Sequence, residues 1–280
     1  MTQNLVPLAD EPASAPLQRA RGHGRIGTKR RDGVSVLDTL YQDGCAKIRL
    51  PHTHADHLHA VLINTAGGLT GGDQMRWEVE LADRTEASLT TQACERIYRS
   101  TGAVAEVATH LSVGAGAHLD WLPQETILFA ASKLNRSIQI DLAEGASLTA
   151  VEAILLGRDA MGEDARDALL RDNWRIRQCG RLIHAEANRI DGSHAARDNT
   201  ALLAGTRAFA TIVHIHADAA RRLDAVRALF PATDTIAASA VGNRLVIRAM
   251  AHSGLALRRL IVPLLDHLSG AGGLPRLWHL

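Results

Sequence analysis

Apolar residues come along this chain mainly in short runs cut by glycine and acidic residues, a spacing that predicts strands more than helices. Residues 34–37 (VSVL), 46–50 (AKIRL) and 60–63 (AVLI) each read as a strand, and residues 75–81 (MRWEVEL) alternate with period two as another. A weak repeat follows. Leu81-Ala82-Asp83 leads into Glu86-Ala87-Ser88-Leu89, Val113-Gly114-Ala115 into Gly116-Ala117-His118-Leu119, and Leu142-Ala143-Glu144 into Gly145-Ala146-Ser147-Leu148. The units recur roughly every 30 residues, within the range of stacked architectures, and each reads as strand, tight turn, strand. Either they stack to build a shared core, or they are unrelated β-hairpins that look alike.

The last third changes period. Leu223, Val226 and Leu229 take helical spacing behind Asp218, a candidate N-cap, with Pro231 just beyond. Residues 254–268 form a second helix candidate, which Pro263 kinks or interrupts. Strand candidates at 212–215 and 244–247 precede these helices. The fold class expected is mainly β and α+β overall, a stacked, β-helix-like body with two C-terminal α-helices. Residues 1–24, with Pro7, Pro12 and Pro16 among Ala, Ser and acids, are expected to be a disordered tail. A single domain is expected over 25–280, with the β body running to about 215 and an α+β part over 210–280.

Composition narrows the function classes. With 280 residues, 46% hydrophobic and 22% charged, the chain can bury a sizeable core, and at 3% aromatics that core must be aliphatic. A net charge of +1 gives no electrostatic case for nucleic acid or an anionic membrane. Three scattered cysteines, Cys45, Cys94 and Cys179, fit a reducing compartment, and neither an apolar leader nor a spanning run is evident, so a cytoplasmic protein is expected.

The most unusual stretch is Gly67-Gly68-Leu69-Thr70-Gly71-Gly72-Asp73. A glycine loop cradles phosphate when a helix follows it, but here a strand is predicted next and no Gly-Lys-Ser/Thr is present. Gly67, Gly68, Gly71 and Gly72 therefore read as tight turns or close backbone approach, with Asp73 capping the exit or lining a cavity. His52, His54, His57 and His59 crowd into nine residues around Asp56, a density that could bind nickel, copper or zinc, or could be a solvated loop. The pair His214-Ile215-His216 is read with its rings on opposite faces and as carrying little information. No Gly-x-Ser-x-Gly stands in the chain, and Cys94 reads as an inert thiol before a nucleophile. Glu152, set in the apolar run 150–157, must be paired, hydrated or protonated; Arg158 and Arg99 are its candidate partners. Glu186 poses the same question among more polar flanks.

Several segments in order resemble the UreD (UreH) family of urease accessory proteins. They are Asn64-Thr65-Ala66-Gly67-Gly68-Leu69-Thr70-Gly71-Gly72-Asp73, Leu89-Thr90-Thr91-Gln92-Ala93, Ile97-Tyr98-Arg99-Ser100, and Leu119-Asp120-Trp121-Leu122-Pro123-Gln124-Glu125 with Thr126-Ile127-Leu128-Phe129. Leu156-Gly157-Arg158, Gly205-Thr206 and Pro275-Arg276-Leu277-Trp278 complete the series. The resemblance implies a non-catalytic scaffold that assembles with UreF and UreG, docks on the urease apoprotein and conveys nickel(II) in transit, with no tightly bound cofactor. It places the acids of the nickel route at Asp73, Glu152 and Glu186, as weak and transient contacts, since oxygen ligands release the ion where clustered imidazoles would trap it. His52, His54, His57 and His59 are richer in histidine than the resemblance requires and stand as weak metal contacts or solvated residues. Two readings compete: a phosphate-handling hydrolase, which needs a helix after Asp73, and a histidine-rich nickel buffer, which needs tight binding by those four rings.

Overall fold

A computed structural model describes residues 18–52, 55–191, 198–231, 235–270 and 272–279. In chain order the first strands are β1 (Arg21–Arg31), β2 (Val34–Gly44), β3 (Ala46–Arg49), β4 (Leu58–Asn64), β5 (Gln74–Leu81) and β6 (Glu86–Thr91). Next come β7 (Glu95–Ile97), β8 (Ala105–Val113), β9 (His118–Leu122), β10 (Thr126–Leu128), β11 (Lys133–Leu142) and β12 (Ser147–Leu156). The last five are β13 (Leu169–Gln178), β14 (Arg181–Ile190), β15 (Ala208–Ile215), β16 (Ile236–Val241) and β17 (Arg244–Ala251). Two helices alternate with these final strands, α1 (Ala219–Arg227) between β15 and β16, and α2 (Gly254–Leu268) after β17.

The strands of each repeat unit do not pair with each other. β5, β8 and β11 lie side by side in a seven-stranded sheet, ordered β14-β13-β11-β8-β5-β1-β2, whereas β6, β9 and β12 lie side by side in a second sheet, ordered β16-β17-β15-β12-β9-β6-β4-β3. Within both trios the pairing is parallel. The tight turns are therefore corners from one sheet to the other, and the hairpin reading fails. Gln74 stands beside Glu106 and Ala105 beside Leu134 in the first sheet; Glu86 stands beside His118 and His118 beside Ser147 in the second. Register is thus the same on both sides of each corner, which is what a stacked coil requires. The corners also repeat their backbone: Arg84, Gly116 and Gly145, equivalent positions, have φ of 57°, 62° and 68°. Glycine suits that left-handed conformation at two of them, and Arg84 adopts it at the third.

One hydrophobic core fills the space between the sheets, built from Trp77, Val79, Leu111, Ile138, Ile140 and Trp174 on one side and Leu89, Leu119, Trp121, Leu148 and Ile154 on the other. A second core lies on the far face of the second sheet, where Val151, Ala153 and Ile212 meet Leu257, Ile261, Leu264 and Leu268 of α2. β12 is thus covered on both faces, which explains its nearly unbroken apolar run. Ser253 caps α2, its hydroxyl accepting from the Ala256 N–H at 3.2 Å, and the helix continues through Pro263 instead of being interrupted there. α1 stops at Arg227, short of the expected Leu229.

At the N-terminus, β1 begins at Arg21, inside the tail expected to reach residue 24; residues 1–17 of that tail lie outside the described residues.

Candidate functional site

Period-two alternation turns Leu134, Arg136, Ile138, Ile140 and Leu142 of β11 toward the core, so one guanidinium is sent inside with four aliphatic chains. On β13 the same alternation sends in Leu170, Asp172, Trp174 and Ile176. Arg136 forks onto Asp172, with Nε to Oδ1 at 2.9 Å and the second nitrogen to Oδ2 at 3.0 Å. Its remaining nitrogen crosses to the second sheet and donates to Glu152 and, at 3.3 Å, to the Thr126 hydroxyl. The indoles complete the set: Trp121 donates to Glu152 at 3.3 Å and Trp174 to Asp172 at 3.3 Å. Arg136 is thus the partner of Glu152, in place of Arg158 or Arg99. Arg158, beyond the Gly157 turn, pairs with Glu163 and lies 4.5 Å from the Phe129 ring centroid. Burial pushes the Glu152 carboxyl up to about 7; Arg136 opposes the rise and the negative charge of Asp172 adds to it.

The polar layer extends beyond this triad. In register across the second sheet, Glu152 stands beside Thr211 of β15, and Thr211 beside Arg248 of β17. Glu186 of β14 meets that row from the opposing sheet, accepting from the Thr211 hydroxyl at 3.3 Å and from Arg248 at 2.7 Å. His184, at 3.2 Å, and Asn188, at 3.3 Å, flank the same carboxylate. Burial works to raise the Glu186 pKa, but His184, Arg248 and Asn188 outweigh it and hold the group below the usual carboxylate value. Glu152, the neighbour of Thr211 in register, and Glu186, its hydrogen-bond partner, thus share one layer of three carboxylates and two guanidinium groups. Only its Thr211 and Arg248 border a groove of about 380 Å³, lined also by Asn188, Leu203 and Phe209; Glu152, Asp172 and Glu186 are not among the lining residues.

Asp73 sits elsewhere. Its oxygens take the backbone N–H groups of Ala20 at 2.8 Å and Thr70 at 2.7 Å, pinning the glycine loop to the chain entering β1. A Cβ at Gly71 would lie 2.1 Å from the Ser100 hydroxyl oxygen, and one at Gly68 would lie 2.3 Å from the Tyr98 ring. Gly67, Gly68 and Gly72 have φ of 75°, 147° and 92°. The loop leads into strand β5, so the helix N-terminus that phosphate binding needs does not follow it. Close by, Asn64 donates to both oxygens of Glu95 at 3.1 and 3.2 Å, and burial pushes that carboxyl up to about 7. Cys94 donates to Glu125 at 3.4 Å, and burial pushes its thiol up to about 11, which disfavours the thiolate a nucleophile needs.

Of the crowded histidines, His52 is exposed and His54 lies outside the described residues. His57 and His59 bring their rings edge to face at 4.2 Å with Nε2 against Nε2, and burial lowers both pKa values. His214 and His216 share one face, their rings stacked at 5.9 Å, contrary to the opposite faces expected. The reason is the pleat itself: residues two apart on a strand point the same way.

Sequence reasoning on the acids overlooked Arg136, Asp172, Thr211 and Arg248. The first two were detectable as charges at inward positions of otherwise apolar period-two strands. The others were not, since their role depends on which strands become neighbours.

The sequence profile of the UreD urease accessory protein family matches residues 20–279. The chain belongs to that family. A urease accessory protein UreD from Chelativorans sp. (strain BNC1) is 57% identical over 271 residues, covering 96% of this chain and 98% of the relative. One from Rhizobium rhizogenes (strain K84) is 48% identical over 269 residues, with 96% and 98% covered. One from Sinorhizobium medicae (strain WSM419) is 46% identical over 273 residues, again with 96% and 98% covered. In this UreD family member no helix among the described residues is long and apolar enough to cross a membrane.

Proposed function

We propose that the chain is a non-catalytic scaffold for urease maturation, which binds the urease apoprotein and, with UreF and UreG, conveys nickel(II) toward the urease active site. The observation that supports this reading most directly is the acidic layer between the sheets, whose Thr211 and Arg248 border a groove. Three carboxylates, Glu152, Asp172 and Glu186, share two guanidinium groups, Arg136 and Arg248. When all five are ionised the layer keeps one negative charge, a weak attraction for a passing cation with no closed coordination sphere. Glu152 and Glu186 are the residues assigned to the route. Asp73 belongs to it by holding the glycine loop in place, since both its oxygens are engaged by backbone N–H groups. His57 and His59 are at most weak contacts for the ion on its way, and His52 is a solvated residue.

The test is urease activity and nickel content in cells expressing the whole urease gene set, with and without this chain. Without it, urease is expected to assemble but stay nickel-poor and inactive. Restoring the chain as Glu186→Ala is expected to return the complex but not full activity. Unchanged activity and nickel on deletion would overturn the reading. Normal activation by Glu152→Ala and Glu186→Ala together would overturn the route alone.

A further inference from the structure

β15 ends at Ile215 and α1 starts at Ala219, and the end of the strand together with the short link carries three groups with metal-binding atoms. A ring nitrogen of His214, a ring nitrogen of His216 and a carboxylate oxygen of Asp218 all lie within 4.8 Å of one another. Asp218 stands at the N-cap of α1, yet its side chain makes no capping bond to the helix. It turns back instead, accepting from Arg222 at 2.9 Å and meeting His216 Nδ1; both contacts fall on Oδ1.

His214 is the informative member. It is 1% exposed, and its Nε2 has no hydrogen-bond partner. Its other nitrogen faces the Thr149 hydroxyl at 3.1 Å, and that hydroxyl also reaches the Leu268 carbonyl oxygen at 3.0 Å. A carbonyl only accepts, so the single hydrogen of Thr149 is committed to Leu268 and the hydroxyl must accept from His214 Nδ1–H. The tautomer is thereby fixed, and Nε2 is left as a buried lone pair without a donor. Leaving such an acceptor unsatisfied is costly in a folded protein, and a metal ion is one group that would satisfy it. An outer hydroxyl or carbonyl that fixes the tautomer is also how ligating histidines are held.

We propose that His214, His216 and Asp218 form a binding site for a divalent transition-metal ion, separate from the acidic layer between the sheets. Two imidazoles and one carboxylate suit nickel, zinc or cobalt in preference to calcium or magnesium. His214 closes the site from the interior. His216 and Asp218 are half-buried and give the ion its way in. Binding replaces the contact between His216 and Asp218. The site does not depend on the urease reading, because it is a property of the isolated chain.

Equilibrium dialysis of the purified full-length protein against Ni²⁺, and separately Zn²⁺, tests it. Wild type is expected to bind one equivalent that both His216→Ala and Asp218→Asn weaken by about tenfold or more, at least the loss typical of disturbing an outer-shell partner. His57→Ala is expected to leave that equivalent unchanged, which separates this site from the His57 and His59 pair. X-ray absorption at the metal edge of the loaded wild type is expected to report two imidazoles among the ligands, a readout that no folding defect in a variant can affect. Wild type binding neither ion, both variants binding as wild type does, or fewer than two imidazoles on the metal would each overturn the proposal. None of these results bears on urease activation, which the deletion experiment decides by itself.

Discussion

Arg136 is 4% exposed and holds two carboxylates of opposing sheets at once. Removing it strands both, and an uncompensated buried charge is far more costly than a missing pair. Arg136→Met is therefore expected to destabilise the protein by about 3–5 kcal/mol, read from urea unfolding at neutral pH. Glu95 behaves differently, because its partner is the neutral amide of Asn64 and burial favours its protonated form. Its folded pKa of about 7 lies above the ordinary 4.5, so its contribution is complete below the lower value and is lost as pH rises through the upper one. Glu95→Gln, neutral throughout, is expected to gain in melting temperature over wild type as the pH is taken from about 5 to about 8. A gap that stays constant over that range would contradict the assignment. Inward charges such as Arg136 and Asp172 are legible in sequence from period-two alternation, but the identity of the partner is not. Glu152 lies 16 positions from Arg136 and across the core, so no spacing rule reaches it.

At the scale of elements, the glycine loop is a packing device. Gly71 is approached by the Ser100 hydroxyl and the Ala103 carbonyl oxygen, at 2.1 and 2.3 Å from where a Cβ would sit, while a Cβ at Gly102 meets nothing within 4 Å. Gly71→Ala is expected to cost about 1–3 kcal/mol through overpacking. Gly102→Ala, the control, should stay within about 0.5 kcal/mol in the same thermal unfolding series. The repeat teaches a related lesson. Its strands, its corners and its roughly 30-residue period are local and can be read in order. Whether a tight turn folds its strands onto each other or parts them into two sheets depends on what each strand finds beside it. Here each strand finds its equivalent in the next coil, and the parallel ladder results.

For the molecule as a whole, the second core closes only when the chain end returns. Trp278 is buried, its indole donates to the Leu122 carbonyl at 3.0 Å, and the Arg258 guanidinium lies 4.7 Å from the ring centroid. Trp278→Ala is expected to lose about 3–5 kcal/mol, checked by urea unfolding, with the loss falling on the packing of α2 against the second sheet. The same closure brings the Leu268 carbonyl onto Thr149, and so reaches His214 through one hydroxyl. The environment of His214 in β15 thus depends on a residue 119 positions from Thr149, a distance that hides it from any local motif.

Sequence by itself determined the strand-rich body, the two C-terminal helices, the corner glycines and the family, because each rests on local periodicity, turn chemistry or contiguous motifs. Tertiary structure alone decided that the units stack as coils of two sheets, that Glu152 and Glu186 join one layer while Asp73 stays apart, and that His214 keeps a bare nitrogen. Those outcomes are set by contacts between residues far apart in the chain, where burial and register, not spacing, determine which polar group meets which.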